Sequence, residues 1–119
     1  MSGYESLTVY QRSYKAALAM RKITERMPEI ERFALIDQIN RASLSIPLNI
    51  AEGYAKRESQ AEFRRYLLMA IGSANEMSVL IDFARDLRYV DEKKHEKAKE
   101  EYEEISKMLR SLIERTKQK

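Results

Sequence analysis

Wound as a helix, residues 35–54 bring Gln38, Arg41, Ser45, Asn49 and Glu52 into an arc of about 80°. These side chains can hold charge and exchange hydrogen bonds. Catalysis is poorly served by them: the stripe has one carboxylate, and no histidine or cysteine accompanies it as base or nucleophile. Arg41 and Glu52 lie on one face about 16 Å apart along the axis, too far to pair within the helix. Leu35, Ile39, Ala42, Ile46 and Ile50 fill the neighbouring arc, and Ile36, Leu44, Pro47, Leu48 and Ala51 cover much of the rest. Such a helix is expected to be enclosed, so its polar residues need partners. The favoured reading is a structural hydrogen-bond stripe whose charges meet opposite charges on a neighbouring helix or subunit. A ligand or ion site is the alternative.

A second group could bind anions. Arg12, Lys15, Lys22 and Arg26 share an arc of about 80° over a length of about 21 Å on one helix. Lys56, Arg57, Arg64 and Arg65 cluster around a later helix connection. Either group, repeated in an assembly, would contact phosphates without reading bases. The bland alternative is a solvated face that keeps the protein soluble. Residues 12–65 carry eleven Lys/Arg against seven Asp/Glu, while residues 91–119 carry nine against eight in alternating blocks. The second half therefore reads as self-paired, and the anion-binding surface is expected in the first.

Other constellations fall short. Glu92-x-x-His95 matches half of a di-iron motif, but His95 is the only histidine, and a surface position is expected for it. Gly72-Ser73 sits inside a helix without a Gly-rich loop, so no phosphate cradle is expected. The seven tyrosines fall at core or helix-end positions rather than on a stacking platform. Neither a metal nor a cofactor is expected.

Four helices position these groups, at about 7–27, 29–54, 60–88 and 92–117. Ser6 is the expected cap of the first, whose core stripe reads Leu7, Tyr10, Tyr14, Ala17 and Leu18, and Met27-Pro28 breaks it. Pro47 should kink the second helix rather than stop it, because the apolar pattern continues in phase. Ser59-x-x-Glu62 is a capping box for the third, and Asp91 caps the fourth, which frays at Lys117-Gln118-Lys119. Helix four has one stripe: Ala98, Tyr102, Ile105, Leu109, Leu112 and Thr116. Helix three has two faces. Phe63, Tyr66, Leu67, Ala70, Ala74, Met77, Ile81 and Ala84 form the first. Leu68, Met69, Gly72, Val79, Leu80, Phe83 and Leu87 form the second, which a lone bundle does not need. That surplus argues for self-association through Leu68, Gly72, Val79 and Phe83, with a neighbouring backbone close to Gly72.

Composition agrees. Of 119 residues, 44% are hydrophobic and 34% charged, with three glycines and two prolines, which suits one domain of long helices and short connections. No cysteine is present, so disulfides are excluded and a reducing cytoplasm is expected. No apolar run approaches the roughly 20 residues of a membrane span, and Met1-Ser-Gly-Tyr-Glu lacks the regions of a signal peptide. The net charge of +3 permits polyanion binding without requiring it.

Arg41-Ala42, Ser45-Ile46-Pro47 and Asn49-Ile50-Ala51-Glu52-Gly53 also carry a resemblance, with Pro28-x-x-Glu31, Gln38, Phe63, Leu67, Ala70 and Gly72-Ser73-x-x-Glu76. In order and spacing, from about Leu7 to Val90, the chain resembles the bacterial four-helix-bundle proteins encoded in intervening sequences of 23S ribosomal RNA genes. These are often called S23-type, and the accessory protein of diversity-generating retroelements is related to them. The resemblance implies an all-α protomer in a homopentameric ring and no defined activity. The expectation is thus an antiparallel four-helix bundle forming a non-catalytic ring that binds RNA or DNA with little sequence specificity. It could present that nucleic acid to a reverse transcriptase or other protein, away from membranes. The rival is a protein-interaction scaffold that binds no nucleic acid. An enzyme or small-ligand binder using the Arg41–Glu52 stripe comes third.

Overall fold

In the computed structural model, which describes residues 3–117, every regular element is helical: α1 (Thr8–Thr24), α2 (Leu35–Ala55), α3 (Gln60–Asp86) and α4 (Glu92–Thr116). The helices pack into a bundle 48 Å long and just over 20 Å across. The expected Gln118-Lys119 end lies outside the described residues.

The first helix departs most from expectation. Ser6 does not cap it. Its hydroxyl donates backwards to the Gly3 carbonyl (2.8 Å) within a short 3-10 turn, Tyr4–Ser6, and Leu7 takes the cap position without a side-chain bond. The buried stripe is Val9, Ser13, Ala16, Met20 and Thr24. Ser13 and Thr24 tolerate burial because their hydroxyls donate to the carbonyls of Tyr10 and Arg21, each at 3.0 Å. Leu7 and Tyr10 are half-buried at the core's edge, while Tyr14 and Leu18 stand about half exposed. Two stripes of equal period compete here, and the one with fewer large side chains faces the core.

Pro28 opens a 3-10 turn, Glu29–Glu31, and α2 begins only at Leu35 rather than at residue 29. Its start has no Ncap side chain. Glu31 compensates: one carboxylate oxygen accepts from the Leu35 N–H (3.3 Å), favourable at a helix N-terminus, and the other accepts from the Tyr89 hydroxyl (2.8 Å). The loop leaves Ile30 and Phe33 each 85% exposed. Helix α2 runs unbroken through Pro47, and the Asn49 amide donates to the Ser45 carbonyl (2.9 Å) beside it. Ser59 accepts from Glu62 N–H (3.2 Å) and Asp91 from Lys94 N–H (2.8 Å), each as an N-cap side chain, while the Glu62 carboxylate turns to Arg65 instead of closing a capping box. Arg88 closes α3 in the left-handed region (φ 66°), where Tyr89 N–H bonds to the Ala84 carbonyl at 2.8 Å.

The core joins Ile39, Ile46 and Ile50 of α2 to Leu67, Ala70, Ala74, Met77 and Ile81 of α3 and to Tyr102, Ile105 and Leu109 of α4. Of the expected first face of α3, Tyr66 alone is only half-buried. Gly53 is the glycine of close approach, because a Cβ there would stand 2.7 Å from the Tyr66 Cβ. Gly72, expected to meet a neighbouring backbone across an assembly contact, has nothing within 4 Å of such an atom among the described residues of the protomer. By length and composition α3 could cross a membrane, its most apolar window averaging a hydropathy of 1.3, with 44% of that window buried inside the bundle.

Candidate nucleic-acid interface

The α1 stripe faces α4, and this changes the role of its first member. Arg12 sets its guanidinium against Glu101 as a two-point fork, Nε to Oε2 at 3.0 Å and Nη2 to Oε1 at 2.8 Å. That bond holds the Arg12 pKa above its usual value. Arg12 is therefore a brace between α1 and α4 rather than a free cation. Lys15, Lys22 and Arg26 are exposed and make no ion pair among the described residues. Lys94 and Lys97 of α4 were expected to be self-paired. They stand exposed and unpaired too, across a groove from Lys15 and Lys22. Two lysine rails, one per helix, thus flank a cleft of about 550 Å³. Sequence reading missed the α4 rail because only packing shows which lysines of an alternating run face α1.

The expected second cluster is mostly occupied. Arg64 donates to the Thr116 carbonyl (3.4 Å) and hydroxyl (3.3 Å), closing the C-terminus of α4. Arg65 pairs with Glu62 at 3.1 Å and lies over the Tyr66 ring, 4.5 Å from its centroid. Lys56 donates to the Tyr66 hydroxyl (2.9 Å) and reaches Glu52 at 3.7 Å. The Lys56 bond holds the Tyr66 phenol below its usual range. Arg57 donates to the Tyr54 carbonyl at 2.9 Å and stacks over that ring at 4.0 Å. Cations and two tyrosines are thus interleaved at the α2–α3 turn, where the sequence suggested only charge.

The polar stripe of α2 is not enclosed within the protomer. Gln38, Arg41 and Glu52 are exposed, and Leu44 and Leu48 stand outside with them. Arg41 pairs with Asp37 one turn back (3.1 Å), and Glu52 pairs with Lys56 one turn on. Among the described residues neither reaches a counter-charge on another helix. Only Ser45 and Asn49 turn inward, the Ser45 hydroxyl donating to Ser73 of α3 at 2.5 Å. The second face of α3 is external as expected: Leu68, Gly72, Val79 and Phe83 are all exposed, although Leu80 is buried.

His95 overturns its surface expectation. It is 9% exposed, with Nε2 2.8 Å from Asp82, which also pairs with Lys99 at 3.1 Å. The site is a structural clasp between α3 and α4. Among the described residues no three His, Cys, Asp or Glu gather as a metal would require.

These features define an all-helical bundle whose exposed apolar and cationic groups lie on outer helix faces. The family model for the 23S rRNA-intervening sequence protein matches residues 5–111, and the chain belongs to that family. Its fold is similar to the crystal structure of a protein of unknown function from the S23 ribosomal protein family of Bacteroides thetaiotaomicron. The two share 26% identity and a TM-score of 0.81 over 89% of this chain and 95% of that one. No protein of curated function matches the sequence.

Proposed function

We propose that this chain is the subunit of a non-catalytic homo-oligomeric ring that holds RNA or DNA electrostatically in the cytoplasm. The observation carrying the reading is the pair of unpaired rails, Lys15 and Lys22 against Lys94 and Lys97, extended by Arg26. Ammonium groups free of carboxylate partners are available to phosphates, and nothing beside them is built to read base edges. The α2–α3 turn adds aromatic rings with cations on them, a surface suited to single-stranded segments.

The ring rests on the outer apolar faces. Tyr14, Leu18, Leu44 and Pro47 line a concavity between α1 and α2, while Leu68, Val79 and Phe83 form a ridge on α3. A ridge that seats in a different surface makes a head-to-tail contact, which gives a ring where its rotation closes and does not give a two-fold pair. Five subunits is the number the family resemblance implies. An antiparallel bundle is supported by hydrogen-bond register: Lys56 meets Tyr66 near the α2–α3 turn, and Ser45 meets Ser73 further from it. The test is nucleic-acid affinity against salt. A log–log slope near −0.9 per contacted duplex phosphate, or about −0.7 for single strands, is expected. Absence of binding to duplex, single-stranded and structured probes at low salt would leave the protein-interaction scaffold as the better reading.

A further inference from the structure

The seam between α1 and α4 differs from the other three. Helices α1 and α2, α2 and α3, and α3 and α4 pack closely, whereas α1 and α4 approach each other least. Small side chains hold the space open. Ala16 and Ala19 look across at Ala98, and Met20, Ile23 and Tyr102 complete an apolar floor. The resulting groove of about 550 Å³ lies within the roughly 300–1,000 Å³ usual for small-molecule sites. The four rail lysines stand around it. Its one carboxylate, Glu101, is taken by Arg12.

Tyr102 keeps the floor of the groove uncharged. It lines the groove and is 1% exposed, and its hydroxyl is enclosed without a hydrogen-bond partner. Buried tyrosine hydroxyls ordinarily have one. Burial pushes the phenol well above its usual pKa, so it remains a neutral donor in need of an acceptor.

We infer that this groove binds a small amphipathic anion, its apolar body on the alanine floor and its acid group on the lysine rails. Charge complementarity selects an anion over a cation or a neutral hydrocarbon. A partner helix fits less well, being about 10 Å across with its backbone groups already bonded internally. A nucleic-acid strand would use the same lysines but leave the apolar floor empty. The inference therefore goes beyond nucleic-acid binding.

The test is displacement of bound 1-anilinonaphthalene-8-sulfonate from the full-length protein by dodecanoate and by dodecyltrimethylammonium, both below their micellar concentrations. Dodecanoate should displace the dye at least about tenfold better than the cation of equal chain length. Ala19→Phe, which fills the groove from an exposed position, should weaken dodecanoate about tenfold or more while leaving nucleic-acid binding on the rails intact. Should Ala19→Phe fail to fold, Lys22→Gln with Lys97→Gln, both at exposed positions, should still weaken dodecanoate, with nucleic-acid binding falling alongside because the rails serve both. Equal displacement by the cation, or unchanged dodecanoate affinity in these variants, overturns the inference. Dodecanoate binding in a wild type that binds no nucleic acid sinks only the earlier reading.

Discussion

His95 Nε2 stands 2.8 Å from an Asp82 carboxylate oxygen, tying the first turns of α4 to the last turns of α3. The start of α4 carries little apolar weight: Glu92, Lys93, Lys94, Glu96 and Lys97 are all exposed. Without an anchor it would be the first segment to fray. Asp82 supplies that anchor twice, accepting from His95 and from Lys99. One carboxylate therefore fixes the angle at which α4 leaves the Tyr89–Asp91 connection, and with it the placement of Lys94 and Lys97 opposite α1.

That clasp gives the protein an acid-sensitive contact. The Asp82 carboxyl is held below its usual range, first by the hydrogen bond from His95 and then by Lys99. A carboxylate depressed in the folded state contributes stability that is present above its unfolded value, about 3.9, and is lost as pH falls through the folded one. Asp82→Asn should therefore melt below wild type near neutral pH, with the gap narrowing once the pH falls below about 3.9. Thermal melts over a pH series check this, and a gap that stays constant into acid would count against it.

Gly53→Ala should destabilise the fold, although alanine gains about 1 kcal/mol in helix propensity. The added methyl would sit 2.7 Å from the Tyr66 Cβ, an atom fixed to its backbone, and 3.2 Å from the Phe63 ring. Neither can swing aside as a flexible tip would, so α2 and α3 must separate. Overpacking of this kind costs about 1–3 kcal/mol, and it outweighs the propensity gain. Denaturant unfolding should show a lower midpoint, and a higher one would mean that the α2–α3 seam yields easily.

How far the fold was legible depends on how local each signal is. Ser59-x-x-Glu62 and Asp91 announced the starts of α3 and α4 because a cap needs only its own turn. The phase of α1 is not legible locally, because Tyr14 and Leu18 are larger and more apolar than Ser13 and Ala16, yet they stand outside the core. Nothing within α1 shows that Ser13 bonds its own helix and so can be buried. His95 needed a partner thirteen residues earlier, and Arg12 one eighty-nine residues later. The α1 half of the candidate interface was visible as a stripe. The α4 half was hidden, since its lysines alternate with glutamates and only the docked bundle sorts them by face.

The outer face of α3 yields a prediction about assembly. Val79 and Phe83 are each more than half exposed in the protomer, so Val79→Asp or Phe83→Asp removes no core contact. Either should leave helicity unchanged while reducing the particle to a single 14.0 kDa chain in light scattering. Gly72→Ala sharpens the test, since its added methyl meets nothing within the protomer. In an isolated chain it would stabilise by up to about 1 kcal/mol, whereas a neighbouring backbone pressed against Gly72 turns the same change into weaker assembly. A wild type that scatters as a folded 14.0 kDa monomer would sink the ring.

The lysine rails separate two roles that look alike in sequence. Lys15, Lys22, Lys94 and Lys97 make no ion pair among the described residues, so reversing all four to Glu costs the fold little. That variant should keep its melting temperature within a few degrees and lose nucleic-acid binding altogether. Arg12→Glu should do the reverse, placing a carboxylate against Glu101 where two hydrogen bonds held α1 to α4. Lower stability with only modestly weaker binding is its expected signature, since Arg12 is already neutralised by its partner. Paired melts and anisotropy titrations at two salt concentrations read both variants. If Arg12→Glu abolishes binding at full stability while the lysine reversal binds as wild type does, the rails are not the phosphate contact.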